Sequence, residues 1–241
     1  MLLRLFERGN TQQAIVWLLL ALPVLLFSFS FHEAAHAFAA NKMGDPTAKN
    51  LGRLTMNPAK HIDPVGFGAM LLVGIGWAKP VPVHTRYFKD PKKGMAFTAA
   101  AGPLSNVLLA FVGVIGYTIM QSVTGQIPFS YIALLEHPEA MEILGVTSLQ
   151  LVFLAFFSIF TWINATLAVF NMIPIPPFDG SRLAFFFLPD RHYFGMMKYE
   201  RFIMIGLIVA MATGILTDII AFFTNLLVDT LSFLPRLIAG M

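Results

Sequence analysis

Phe31-His32-Glu33-Ala34-Ala35-His36-Ala37 lies inside an apolar run from Ala14 to Ala40. The run is long enough to cross a bilayer, and ionisable side chains at membrane depth are costly and need a reason to be there. Reading outward, hydrophobic residues make up 57% of the 241-residue chain and charged ones 12%. Mean hydropathy is +0.72. These values describe a polytopic membrane protein. The net charge of +3 comes from basic residues in the loops that flank apolar runs, so it argues for membrane topology and against a nucleic-acid partner. With no cysteine, a metal could be held only by His, Asp or Glu.

Four stretches are long enough to span, roughly 12–41, 95–121, 148–173 and 202–234. The last would be about 50 Å long as one helix and is expected to bend or split near Thr213-Gly214. Arg4 and Arg8 precede the first stretch as in a signal peptide, but no small-residue cleavage site follows, so a retained span is expected. Residues 42–94 carry Lys42, Lys49, Arg53, Lys60, Lys79, Arg86, Lys89, Lys92 and Lys93, and 175–201 carry Arg182, Arg191, Lys198 and Arg201, whereas 122–147 have no Lys or Arg. The positive-inside rule therefore puts the first two loops in the cytoplasm and the third outside. It also puts the amino terminus outside, against which Arg4 and Arg8 stand. Within 42–94, Pro64 to Trp77 is apolar, glycine-rich and too short to span, and Pro80 and Pro82 alternate as on an edge strand. A small re-entrant β-sheet dipping into the membrane is the expectation.

On a helix, residues four apart project from nearly the same side, so His32 and His36 converge one turn apart with Glu33 beside them. Two neutral nitrogens suit Zn²⁺, and a carboxylate that is not a ligand suits a general base for water whose pKa the ion lowers. With six histidines and six glutamates in the chain, about 0.004 matches to this pattern are expected by chance. A histidine pair held only for packing would bury three ionisable groups in lipid for no return. A hydrolytic zinc site needs a third protein ligand, and Lys42 stands where soluble zinc proteases often place one. The candidates are Asp45, Asp63, Asp90, His61, His84 and Asp179. Asp179 stands out because Pro174, Pro176 and Pro177 end the third span and fix the acid on irregular backbone, with Gly180 permitting a turn after it.

His32-Glu33-Ala34-Ala35-His36, Ala101-Gly102-Pro103-Leu104-Ser105-Asn106, and Asn171-Met172-Ile173-Pro174-Ile175-Pro176-Pro177-Phe178-Asp179-Gly180 fall in this order on three successive spans. Together with Gly44-Asp45-Pro46-Thr47-Ala48, Gly52-Arg53-Leu54-Thr55 and the stretch from Asn57 to Pro64, they resemble the site-2 protease family of intramembrane metalloproteases, in its compact subclass without a PDZ domain. The resemblance covers about 30–200. It implies one zinc per chain on His32, His36 and Asp179, with Glu33 as general base and Asn106 near the substrate or the developing oxyanion. Asn164 and Asn171, seven apart, share one helix face and read as helix glue or as support for the site. His61, between Pro58 and Pro64, reads as a loop or membrane-surface residue.

The fold expected is all-α, with four to six transmembrane helices and the small re-entrant sheet, as a single domain over 1–241 that ends in a helical region from 202. The partners expected are a transmembrane protein substrate and the bilayer, and the setting is the cell membrane of a prokaryote with the site toward the cytoplasm. Trp77, Lys79, Val81 and Asn106 are the candidate substrate contacts, the first three through pairing of the edge strand with an unwound substrate. The rival readings are a membrane metal-ion transporter, for which a non-ligand Glu33 has no use, and an inactive protease-like scaffold, against which the intact His32, Glu33, His36 and Asp179 count.

Overall fold

The computed structural model describes residues 11–73, 79–124, 148–187, 199, 202–203, 206–207, 209–210 and 213–240. Helix α1 runs Thr11–Lys42, α2 Thr47–Asn50, α3 Pro64–Val73, α4 Pro91–Thr124, α5 Ser148–Asn171, α6 Asp179–Phe186 and α7 Ile215–Ile238. Four of them, α1, α4, α5 and α7, are long and apolar enough to cross a membrane. The protein is therefore an integral membrane protein built mostly of helix.

Helix starts follow from local chemistry. Before α4, the Asp90 carboxylate accepts from the Lys93 N–H at 3.0 Å, and Pro91 takes the first helical position, where a missing N–H costs nothing. Asp63-Pro64 repeats the device at α3, with Asp63 accepting from Val65 and Gly66. At α7 the chain turns through Gly214 at φ +83, a left-handed conformation that suits glycine, which is the break expected at Thr213-Gly214.

Packing assigns each span its place. In the most apolar stretch of α5, 50% of residues are buried inside the protein against 17% in α7, so α5 is central and α7 peripheral. Helices α4 and α5 approach closely because α4 is small where they cross: a Cβ on Gly113 would strike Thr161, and one on Gly116 the Phe157 ring. Tyr117, Leu151 and Leu154 fill one layer of this seam, and Ala21, Val24 and Ile159 join α1 to α5. Helix α7 docks through Val228 against Ala110 and Ala165. Its outer face exposes Phe222, Phe223, Leu226, Phe233 and Leu237, as a lipid-facing surface does.

The expected sheet is not found among the described residues. Residues 64–73 form α3 instead, and 79–84 run without helix or ladder. Two prolines in that segment leave it few N–H groups, and three of these go elsewhere: Lys79 N–H donates to the His61 carbonyl, Val81 N–H to the Glu33 carboxylate and His84 N–H to the Asp45 carboxylate. Trp77 lies outside the described residues.

Candidate metal centre

The centre is assembled at one end of the bundle from three separate elements. His32 and His36 stand in the last third of α1, and both are buried. Helix α4 can approach them because residue 102 is glycine; a Cβ there would collide with both imidazole rings. Asp179 arrives from the far side. Helix α5 stops at Asn171, the proline-rich turn folds back with the Phe170 and Phe178 rings 4.4 Å apart, and α6 begins at Asp179. The acid thus opens a short helix, where the prolines had suggested irregular backbone. Gly180 is required by proximity, since a Cβ would meet the Met172 backbone.

The three donor atoms converge. His32 Nε2 and His36 Nε2 are 3.0 Å apart, and Asp179 Oδ2 is 3.2 Å from the first and 3.1 Å from the second. Each ring nitrogen on the other side is already engaged: His36 Nδ1–H donates to the Thr98 carbonyl at 2.7 Å, and His32 Nδ1–H to Asn106 Oδ1 at 2.5 Å. A neutral imidazole carries one N–H, so protons on both Nδ1 atoms leave two bare Nε2 lone pairs and a carboxylate oxygen facing one another. Three converging acceptors with no hydrogen between them need a cation. Their spacing is close to the ~3.3 Å edge of a tetrahedral shell with bonds of about 2.0 Å, and the donor set of two imidazoles and a carboxylate is one that zinc takes.

Glu33 is buried beside this trio without joining it, and its Oε2 accepts from the Val81 N–H at 3.1 Å. Asn106 is fully buried, and both ends of its amide are engaged: Oδ1 accepts from His32, and Nδ2 donates to Asn164 Oδ1 at 2.9 Å. Lys79 is exposed and Val81 half-buried on the segment that passes Glu33.

The other candidate ligands have structural duties away from the trio. Asp45 is fully buried, accepting from both the backbone and the hydroxyl of Thr47 and, at 2.7 Å, from the His84 N–H. Burial alone would raise its pKa, but these donors hold the carboxyl below its ordinary value. Asp63 and Asp90 cap helices, and His84 is exposed. His61, expected in a loop or at the membrane surface, does lie in a turn but is fully buried there, with Nε2–H donating to the Thr55 carbonyl. Sequence reasoning did not foresee the duty of Arg53, whose guanidinium donates to the carbonyls of Lys79 (2.6 Å) and Pro80 (3.1 Å). With Asp45 gripping His84, it ties both ends of the 79–84 segment beside Glu33. The Thr98 carbonyl was equally unforeseen, because a backbone acceptor leaves no chemical mark in a sequence, and Gly102, quoted there only as part of a motif, gave no sign that it clears space for both imidazoles.

Comparison with known proteins agrees with this chemistry. A family model described as Peptidase family M50 matches residues 20–217. Among curated proteins, the chain is 39% identical over 189 residues to "Putative zinc metalloprotease YwhC" of Bacillus subtilis (strain 168), covering 78% of each chain. It is 29% identical over 161 residues to "Putative zinc metalloprotease Rip2" of Mycolicibacterium smegmatis, covering 64% of this chain and 52% of that one. It is also 29% identical over 176 residues to "Putative zinc metalloprotease MJ0611" of Methanocaldococcus jannaschii, covering 70% and 71%. No solved structure matches. A chain matched over most of its length by this family model, and carrying a buried donor set suited to zinc on helices able to cross a membrane, belongs to Peptidase family M50, the site-2 protease family, and is a membrane-embedded zinc metallopeptidase.

Proposed function

We propose that the protein hydrolyses peptide bonds within or near transmembrane segments of membrane-protein substrates, using one zinc held by His32, His36 and Asp179. The observation that carries this reading is the buried convergence of those three donors, with Glu33 alongside, among helices apolar enough to span. When bound there, zinc supplies Lewis acidity that favours ionisation of water and polarises a carbonyl. Glu33 takes a proton from the attacking water and returns it to the leaving amine, and its carboxylate is aimed by the Val81 N–H.

A transmembrane helix hides its peptide bonds, so a substrate must unwind locally, and its freed backbone groups then need partners. The stretch around Trp77 to Val83 supplies them as an edge, with Trp77, Lys79 and Val81 as its candidate contacts. Residues 42–94 carry nine basic side chains and 122–147 none, which supports a cytoplasmic site in a cell membrane and a cleaved fragment released into the cytoplasm. The test is the protein reconstituted in liposomes with single-span model substrates. The expected result is zinc-dependent cleavage mapped within or beside the span, slowed at least about tenfold by Val83→Pro, which removes an N–H of the edge other than the one that Glu33 accepts. Cleavage confined to soluble loops, or untouched by Val83→Pro, would count against the intramembrane reading or the edge respectively.

A further inference from the structure

Asn164 lies in α5, two hydrogen bonds away from the nearest metal-facing side chain, and is fully buried. Its Nδ2 donates to the Phe160 carbonyl one turn back at 2.9 Å, and its Oδ1 accepts from Asn106 Nδ2. Asn106 Oδ1 in turn accepts from His32 Nδ1–H. Direction in this chain is set at its far end. A backbone carbonyl can only accept, so the Asn164 amide must turn its NH₂ to Phe160 and its oxygen to Asn106. That oxygen draws the Asn106 NH₂, which leaves the Asn106 oxygen facing His32.

We infer that Asn164 is a positioning residue that fixes the tautomer of His32 through Asn106. The inference rests on the zinc reading of the site. Were the Asn106 amide reversed, its NH₂ would face His32 Nδ1, which would have to be a bare acceptor, and the ring proton would move to Nε2. An Nε2–H cannot serve as a ligand, and it would point at His36 Nε2 and Asp179 Oδ2, 3.0 and 3.2 Å away. His36 has no such exposure to side-chain error, because its Nδ1–H goes directly to the Thr98 backbone carbonyl. The two histidines are thus polarised alike by different means, one through the main chain and one through a pair of amides from α4 and α5. Groups that hold the outer nitrogen of a zinc-binding histidine typically govern affinity by about 10–100-fold.

The experiment uses the full-length protein in detergent, with zinc affinity measured by chelator competition and the His32 tautomer read from ¹⁵N-histidine resonances of the metal-free chain. Asn164→Leu should weaken zinc binding about 10–100-fold and shift His32 toward the Nε2–H form. Asn106→Asp placed in the Asn164→Leu background should restore both, because a carboxylate accepts from Nδ1–H whichever way it turns. A merely space-filling Asn164 would show no such rescue by a change at another residue. The inference is overturned if Asn164→Leu leaves affinity within about twofold of wild type, or if the Asn106→Asp addition fails to restore it. A wild-type chain that bound no zinc would instead remove the metal reading, with the ¹⁵N resonances still deciding whether Asn164 controls the tautomer.

Discussion

Asp45 shows how much one buried carboxylate does without touching the metal. It holds Thr47 beside it and reaches His84, 39 residues along the chain, and so fixes one end of the segment that passes Glu33. Asp45→Asn keeps the shape but loses the charge, and should lower stability by about 1–3 kcal/mol at neutral pH in thermal or denaturant unfolding. The sign with pH follows from its lowered pKa: the carboxylate's contribution is present above the ordinary Asp range and is lost as pH falls through the depressed folded value. The gap between wild type and Asp45→Asn should therefore close in strong acid; a gap that is constant with pH would show that the charge is not what matters. His32, Glu33 and His36 were legible in the sequence because their relation is local, set by one helical turn. Asp179 was one of six candidates on residue reasoning; the prolines that end the third span made it stand out, and the resemblance then assigned it as the ligand. The duties of Asp45 and the burial of His61 were not legible, because donors such as the His84 N–H belong to distant backbone that no local spacing reveals.

At the scale of elements, the centre depends on how closely α4 can approach α1. Gly102→Ala should leave α4 helical, since alanine favours helix, yet push apart the two imidazole rings. Zinc affinity should fall at least about tenfold with helix content by circular dichroism unchanged; unaltered affinity would show that the rings can yield. The spans themselves were readable from apolar runs: 95–121 became Pro91–Thr124, and 148–173 became Ser148–Asn171. The extra residues at the start of α4 come from its Asp90-Pro91 cap, which hydropathy does not register. The re-entrant sheet was read from alternating prolines, a pattern equally suited to an extended segment bonded to side chains and loops. Arg53, Glu33 and His61 partner that segment here, and none of them is near it in sequence.

At the scale of the whole molecule, among the described residues the trio and Glu33 lie at the end of the bundle where the basic loop 42–94 and the turn after α5 emerge. The opposite end is held by apolar seams such as Tyr117 against Leu154. Among the described residues, the one cluster of metal-ligating side chains is the trio of His32, His36 and Asp179. The central claim is that the trio holds zinc while Glu33 moves the proton, and it is tested most directly by comparing wild type with Glu33→Gln in cleavage of a single-span substrate, with bound zinc quantified in both. The account predicts about one zinc per chain in each protein and a loss of turnover of about 100-fold or more in Glu33→Gln. Undiminished cleavage by Glu33→Gln with zinc in place would contradict it.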